Sequence, residues 1–343
     1  MLEDERNYLD RLWARGQDFL GVEVPILGGA MTWVSDCHLV SAISNAHGFG
    51  VIACGAMTPD LLRNEIQATQ KRTQKPFGIN LITLHPMLLE LIDVCIAGSI
   101  GHVILAGGLP PKEAIEKLKH AGIKTICFAP ALALAKRLVK QGVDALIVEG
   151  HEAGGHIGPV STSVLAQEIL PVVREVPVFV AGGIGRGEMM LSFLEMGASG
   201  CQLGTRFVCA KESHAHPRFK QAFIKAAARE AIVSPQLDPR FPVIPVRALA
   251  NNGTRHFIEF QREMIERVDR GEEKLKEAQL KVEHYWAGAL RKAVIEGNIE
   301  EGSLMAGQSV GFVEQEQPAH EIIDELLGQA LQAIAQRKIN PLS

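Results

Sequence analysis

The amino-acid sequence predicts an α/β fold, a (β/α)₈ TIM barrel with an additional helical cap region. Short apolar runs rich in β-branched residues alternate with segments of helical period from residue 22 to residue 210. Eight such runs occur, which is the number that closes a barrel. No GxGxxG pattern follows the first run, so a closed barrel is favoured over an open doubly wound sheet.

The eight runs are interpreted as buried parallel strands, because strands covered on both faces are continuously apolar. Helix candidates lie between them, and some begin with a proline at the first helical position, as in Thr58-Pro59 and Pro110-Pro111. The predicted strands are 24–30, 50–54, 77–82, 102–106, 125–129, 145–149, 178–181 and 200–208. The predicted helices lie near 36–46, 59–72, 87–97, 111–121, 131–141, 163–174, 186–196 and 214–229.

The alternation of strands and helices ends after Lys211. Residues 235–250 are rich in proline and apolar side chains, and 253–296 have the pattern of long charged helices, which indicates a cap over the barrel mouth. The first 20 residues and residues 318–337 also look helical. The predicted parts are an N-terminal helix at 1–20, the barrel at 21–234, a helical cap and substrate region at 235–313, and a C-terminal helix packing on the barrel at 314–343.

Composition excludes several classes of partner. The chain has 343 residues, 35 basic and 39 acidic, for a net charge of −4, so no positive field would attract nucleic acid or an anionic membrane. The six cysteines are scattered without a CxxC pair, mostly in apolar runs, as in reduced cytoplasmic proteins. The start lacks the features of a signal peptide, and no long apolar stretch follows. We expect a cytoplasmic protein, and a homodimer is compatible with the sequence.

Two glycine-containing segments occur at the seventh and eighth predicted strands, the first ending strand seven and the second lying within strand eight. They are Ala181-Gly182-Gly183 and Gly204-Thr205. Barrels often bind phosphate at this place, because glycines let backbone N–H groups approach an anion closely. The alternative is that these glycines only permit tight turns between strand and helix. Both segments lie at the expected strand ends, which favours the phosphate site.

A third glycine-rich loop follows the sixth predicted strand and reads Glu149-Gly150-His151-Glu152-Ala153-Gly154-Gly155-His156-Ile157-Gly158. His156 is our candidate acid or base, since an imidazole titrates near neutral pH and this loop should be flexible and lie at the active face. The alternative is an ordinary surface histidine on a mobile turn. A zinc site is not favoured, because His151, Glu152 and His156 would not share a helical face.

Two further strand ends could line a ligand. Gly28-Gly29-Ala30-Met31-Thr32-Trp33 at the first strand places small residues beside a flat slot, although ordinary barrel packing uses small residues as well. Asn80 ends the apolar run Phe77-Gly78-Ile79-Asn80 and needs a hydrogen-bond partner. A planar ring or a neighbouring loop would supply it.

Taken together, these motifs resemble the flavin-dependent nitronate monooxygenase and enoyl-acyl carrier protein reductase II family. The Glu-Ala-Gly-Gly-His core of the third loop resembles the family's catalytic-histidine loop. Ala30, where a second glycine is common before Met, and His151, where another residue is usual, depart from the family pattern. The resemblance covers nearly the whole chain, and its other motifs are Gly29 to Trp33, Lys75 to Asn80, Ala181 to Ile184 and Gly204 to Phe207.

The resemblance implies non-covalently bound FMN and a catalytic histidine at His156. Gly182, Gly183, Gly204 and Thr205 would hold the phosphate with Gln202 alongside. The flavin ring would be lined by Ala30, Met31 and Asn80, and His156 would face its reactive edge. The remaining cofactor-binding residues that we expect are Gly29, Glu149, Gly154, Gly155 and Ala181.

Three segments, at 210–217, 245–249 and 302–308, look more like the enoyl reductase branch. That branch implies NADH or NADPH as reductant and an acyl-thioester substrate. The alternative branch is a monooxygenase of alkyl nitronates with O₂, in which the histidine takes the α-proton or orients the substrate. A third reading is a non-flavin barrel, an aldolase or isomerase whose phosphorylated substrate occupies the same glycine site. Schiff-base chemistry would need a lysine at a strand end, and none of the predicted strands ends in one.

Overall fold

The computed structural model describes residues 2–55, 57–241 and 245–339, and its strands and helices follow the predicted alternation. The strands are, in chain order, β1 Ile26–Gly28, β2 Gly50–Ala53, β3 Phe77–Ile82, β4 His102–Ala106, β5 Lys124–Phe128, β6 Ala145–Glu149, β7 Gly155–His156, β8 Val178–Ala181, β9 Gly200–Leu203, β10 Ala231–Val233 and β11 Val246–Leu249. The helices are α1 Leu2–Leu20, α2 Cys37–Asn45, α3 Pro59–Gln70, α4 Leu88–Ala97, α5 Lys112–His120, α6 Leu132–Lys140, α7 Thr162–Ile169, α8 Gly187–Glu195, α9 Thr205–Val208, α10 Pro217–Lys225, α11 Asn252–Asp269, α12 Leu275–Val294 and α13 Ala319–Ile339, with 3₁₀ turns at Ala228–Glu230 and Gln308–Phe312.

Within the described ranges, eight parallel strands form a nearly closed barrel, in the order β1, β9, β8, β6, β5, β4, β3, β2. The ring closes through a parallel bridge between Leu27 and Phe49, where the N–H of Gly28 donates to the carbonyl of Phe49 over 2.9 Å. Helices surround this sheet. The predicted (β/α)₈ barrel is therefore confirmed.

The predicted extent of the eighth strand, 200–208, is wrong. The strand ends at Leu203, and Thr205–Val208 form the short helix α9 instead. Gly204 takes a helical φ and ψ, and its carbonyl accepts from the N–H of Phe207 at 2.8 Å. Apolar composition alone does not distinguish a buried strand from one buried helical turn, which is why 205–208 were assigned to the strand.

The barrel interior is filled by one apolar cluster, as expected when alternate residues of each strand face inward. Its members from the strands and their edges are Leu27, Phe49, Val51, Ile104, Ile126, Ala145, Ile147, Phe179 and Ala181. Phe19 and Leu20 join this cluster from the end of α1, so the first helix covers the N-terminal end of the barrel. The helix lies so close that a Cβ at Gly16 would be 1.8 Å from the carbonyl oxygen of Ser199.

The segment between the barrel and α13 contains the long helices α11 and α12, and it also adds a strand. β11 is the centre of a three-stranded antiparallel sheet with β10 on one side and β7 on the other. A separate apolar cluster lies between the helices and this sheet, with Phe257 and Met264 from α11, Ala278 and Val282 from α12, and Val246 from β11.

The last helix packs on the outside of the barrel against α8, as the position of Gly187 shows. The N–H of Gly187 donates to the side chain of Gln329 in α13 over 2.7 Å. A Cβ at Gly187 would lie 2.0 Å from the carbonyl oxygen of Leu326, which is also in α13. Among the described residues, no helix is both long enough and apolar enough to cross a bilayer.

Candidate active site

The mouth of the barrel is lined by the C-terminal ends of its strands, where barrels of this kind carry their active sites. Glu149, Ala181 and Gln202 lie side by side in register on β6, β8 and β9. Ala181 belongs to the interior cluster. Register partners in a parallel sheet face the same side, so Glu149 and Gln202 also point into the barrel. One layer of the mouth therefore presents a carboxyl, a methyl and an amide.

The turn after β8 is formed by two glycines in the left-handed region, Gly182 with φ 89° and Gly183 with φ 74°. A Cβ at Gly182 would lie 3.1 Å from the Cβ of Ala153, and one at Gly183 would lie 3.0 Å from the Cβ of Glu152. Neither backbone N–H of the pair has an acceptor within the described chain. Two adjacent free N–H groups in such a turn form a concave site for an anion.

The neighbouring strand end brings the first and last barrel strands into close contact. The N–H of Gly29 donates to the carbonyl of Leu203 at 2.8 Å, and a Cβ at Gly29 would lie 3.0 Å from the Cα of Gly204. A Cβ at Gly204 would in turn lie 3.5 Å from the sulfur of Met31. Gly29 is therefore required for the close approach of these two backbones, whereas a Cβ at Gly204 would make only an ordinary contact with Met31.

Two buried amides at the mouth have no protein partner. Asn80 faces inward beside its register partner Ile104 and is 6% exposed, and Gln202 is 7% exposed. Neither side-chain amide forms a hydrogen bond to any described residue. Buried amides are normally bonded, so solvent or a ligand in the mouth would supply the donor and acceptor for these two. A flavin ring, which has both, fits this requirement, and the free N–H groups of Gly182 and Gly183 fit its phosphate.

Glu149 is the ionisable group of this layer. Its side chain is half-buried at the mouth, and burial among protein atoms raises the pKa of its carboxyl to about 8. No described residue forms a hydrogen bond with this carboxyl.

The histidine loop is held by strand pairing. Gly155 and His156 form β7, where His156 lies opposite Val246 and Gly155 lies opposite Arg247. The N–H of Ile157 extends the pairing by donating to the carbonyl of Pro245 at 3.0 Å. Backbone hydrogen bonds therefore hold the segment around His156, which the sequence predicted to be a flexible loop. The side chain of His156 is exposed.

Other polar residues of the loop have structural partners. His151 donates from Nδ1 to the carbonyl of Gly158 at 2.9 Å. The carboxylate of Glu152 accepts from the N–H and the hydroxyl of Thr162 at 2.8 and 3.0 Å. These contacts fix the ends of the loop.

Arg247 is a supporting residue that was not among the predicted site residues. It is 3% exposed, and its guanidinium donates to the carbonyl of His151 at 3.1 and 3.0 Å and to the carbonyl of Ala231. Burial lowers its pKa. An arginine inside the apolar run Val246–Leu249 was the available signal, because a buried guanidinium must be bonded.

The structure thus brings the predicted residues into two adjoining groups. Gly154 begins the histidine group, where its Cβ would lie 2.5 Å from the N–H nitrogen of Gly307. That same N–H donates to the hydroxyl of Thr205 at 3.0 Å, so residue 307 contacts both groups. The mouth group contains Gly29, Ala30, Met31, Asn80, Glu149, Ala181, Gly182, Gly183, Gln202, Gly204 and Thr205, and the histidine group contains Gly154, Gly155 and His156.

Trp33 was quoted in the first motif without a role. It has φ 68°, unusual for an aromatic residue, and it is 41% exposed. The guanidinium carbon of Arg291 in α12 lies 5.9 Å from the centre of its indole ring. This contact links the loop after β1 to the long helices above the barrel.

Comparison with protein families and curated sequences supports the resemblance. The model of a family described as nitronate monooxygenase matches residues 14–100 and 88–329. A dehydrogenase of Rhodococcus jostii (strain RHA1), named (3aS,4S,5R,7aS)-5-hydroxy-7a-methyl-1-oxo-octahydro-1H-indene-4-carboxyl-CoA dehydrogenase, is 30% identical over 343 residues, covering 92% of this chain and 95% of its own.

Two solved structures cover nearly the same part of the chain. FabK of Thermotoga maritima superposes with a TM-score of 0.85 at 36% identity, covering 94% of this chain and 98% of its own. A nitroalkane oxidase of Streptomyces ansochromogenes superposes with a TM-score of 0.76 at 25% identity, covering 93% of this chain and 99% of its own.

Proposed function

The chain belongs to the nitronate monooxygenase family of oxidoreductases, and from that premise we propose that it uses FMN to reduce an enoyl thioester with NADH or NADPH. The choice of reaction rests on one observation. Identity to FabK, an enoyl-acyl carrier protein reductase II, is 36% over 94% of the chain, against 25% for the nitroalkane oxidase.

The proposed cofactor follows from the family and from the mouth. Members of the family are flavin-dependent, and the mouth offers one anion site, which suits the single phosphate of FMN. We assign the phosphate to the N–H groups of Gly182, Gly183, Gly204 and Thr205. We assign the flavin ring to the inward-facing layer below this site. The residues beside the ring would be Ala30, Met31, Asn80, Glu149, Ala181 and Gln202. Gly29, Gly154 and Gly155 would let the backbone approach the cofactor closely.

When bound, FMN supplies the hydride transfer, and the residues of the chain position the reactants. The glycine turns hold the phosphate, and Asn80 and Gln202 bond to the polar edge of the ring, which fixes its orientation. The apolar cluster beneath the mouth keeps water from the inner face. His156 at the outer edge orients the substrate or transfers its proton.

A second candidate is the oxidation of alkyl nitronates with O₂. The description of the matching family and the likeness to the nitroalkane oxidase favour it. In that reaction His156 would take the α-proton of the substrate or orient the nitronate. The arrangement of the site suits both reactions. They are distinguished by the compound that reduces the flavin, a nicotinamide in the first and the nitronate in the second.

The discriminating experiment is anaerobic reduction of the purified yellow protein by NADH and by NADPH, followed by a crotonyl thioester or an alkyl nitronate. We expect rapid bleaching by one nicotinamide and recovery of the yellow colour on addition of the thioester. Bleaching by the nitronate, with both nicotinamides inert, would establish the second candidate instead. A colourless protein that binds no added FMN would contradict both flavin-dependent candidates. It would favour the third alternative, a phosphate-binding aldolase or isomerase.

The proposed location is the cytoplasm. All six cysteines are buried free thiols, and burial raises the pKa of several, including Cys54 and Cys127, to about 12. Buried thiols of this kind persist in a reducing compartment.

A further inference from the structure

We propose that Glu149 is a neutral carboxylic acid that donates a hydrogen bond to the flavin in the barrel mouth, and that loss of its proton weakens flavin binding. This inference rests on the proposed FMN site. It assigns a protonation state and a direction of hydrogen bonding to a residue that was expected only to lie near the cofactor.

The first step is the position of Glu149. It ends β6, points into the barrel, and has Ala181 as its register partner on the adjacent strand. Two residues earlier on the same strand, Ile147 is fully buried in the interior cluster, and Phe179 lies beside it. The carboxyl therefore lies directly below the Gly182–Gly183 turn, with apolar side chains beneath it.

The second step is the absence of a cation from the strands that surround it. Lys124 and His102 also face the interior, but they lie at the opposite end of β5 and β4, where both bond to the carbonyl of Phe19. Asn80 and Gln202 at the mouth are uncharged. No charged group on the described strands is therefore in a position to balance a carboxylate at residue 149.

The third step is the loop and the cap segment next to it. His151 is engaged with the carbonyl of Gly158, and Glu152 is held by Thr162. Arg247 donates its guanidinium N–H groups to the backbone carbonyls of His151 and Ala231. His156 lies on β7 opposite Val246, with an exposed side chain. Burial is accordingly the one cause of the raised pKa at Glu149.

The chemical consequence follows from solvation. An ionised carboxylate that is partly removed from water among apolar side chains and has no cation nearby is costly, so the group favours its protonated form. With a pKa of about 8, Glu149 is mostly protonated at pH 7. A protonated carboxyl is a hydrogen-bond donor, whereas a carboxylate only accepts. A flavin ring carries carbonyl oxygens and a ring nitrogen that accept such a bond.

The test is the pH dependence of FMN affinity, measured by quenching of flavin fluorescence between pH 6 and pH 9.5. If the protonated form binds, the Kd of the wild-type protein is flat below pH 8 and rises by up to about tenfold per pH unit above it. Glu149→Gln keeps a neutral donor of the same shape, so its Kd should stay flat throughout. Glu149→Met keeps the size and lacks the donor, so its binding should be weaker at every pH and equally flat.

Glu168→Gln on the exposed face of α7 is the matched control and should follow the wild type. A wild-type Kd that does not change with pH, or a Glu149→Gln protein that loses affinity in parallel with the wild type, would overturn the inference. Failure of the wild-type protein to bind FMN at any pH would instead contradict the proposed function. If Glu149→Gln does not fold, the flat profile expected for Glu149→Met decides the question.

Discussion

The two ends of the barrel differ in how their inward-facing polar side chains are satisfied. At the closed end, His102 donates from Nε2 to the carbonyl of Phe19 at 2.9 Å, and the ammonium of Lys124 donates to the same oxygen. At the mouth, Asn80 and Gln202 are as well buried as His102, yet no described residue bonds to their side chains.

The difference separates structure from function within one set of strands. Buried polar groups are normally bonded. Where the chain supplies the partner, as the end of α1 does, the polar group fastens one element to another. Where it does not, solvent or a bound molecule supplies the partner, and at the mouth we propose that it is the flavin. We therefore expect substitutions at the mouth to change binding or turnover and substitutions at the closed end to change stability.

The largest effect is expected for His156→Ala. Loss of a group that orients substrate or transfers a proton should lower turnover at least about tenfold and by up to about 10⁴-fold. Flavin content should be unchanged, because the phosphate and ring contacts lie elsewhere. Steady-state kinetics and the absorbance of the purified protein measure both quantities, and unaltered turnover would remove His156 from the mechanism.

Gly182→Ala tests whether the glycine turn after β8 binds the flavin phosphate. The methyl group would lie 3.1 Å from Ala153, and the φ of 89° strains any L residue, at about 1–3 kcal/mol. Gly197→Ala is the matched control, because φ is 108° there and no atom lies within 4 Å of the added Cβ. Both variants should lose thermal stability, but only Gly182→Ala should lose FMN affinity in a titration. Equal FMN affinity in the two variants would make the turn purely structural.

The pH dependence of unfolding tests the closed end. Burial lowers the pKa of His102 to about 4 from its ordinary value of 6.5. The folded state therefore binds fewer protons than the unfolded state between these values, and stability present above pH 6.5 is lost as the pH falls toward 4. Roughly 2 kcal/mol should be lost between pH 7 and pH 5 from this group.

Urea denaturation at the two pH values measures that loss, with His102→Gln as the reference because it cannot titrate. If the free energy of unfolding changes equally with pH in the wild type and in His102→Gln, His102 does not contribute to the pH dependence of stability. The FMN affinity of His102→Gln at pH 7 should match the wild type, since the closed end makes no contact with the mouth.

The smallest effect is expected for Lys124→Met. It removes one of two donors to the carbonyl of Phe19, and His102 still bonds that oxygen, so the loss of stability should be about 1–2 kcal/mol. FMN affinity and turnover should not change. A variant with normal stability and weakened FMN binding would reverse the comparison between the two ends.

Local sequence predicted most of the barrel, because the middle of each strand is a continuous apolar run that is buried on both faces. Local sequence could not predict contacts between segments that are distant in the chain. β7 contains only Gly155 and His156, and its partner β11 lies about 90 residues later, so neither the pairing nor the role of Arg247 appears in a local pattern. The function of α1 was also missed, since Phe19 acts through its backbone carbonyl.

The pairing of β7 with β11 has a consequence for biosynthesis. A ribosome completes residues 155–156 about 90 residues before it reaches 246–249, so His156 acquires its strand partner only after that stretch has been translated. The glycine turn at 182–183 is made earlier and depends on neighbouring strands of the barrel. During synthesis, the turn that we assign to the flavin phosphate can therefore form before His156 has its strand partner.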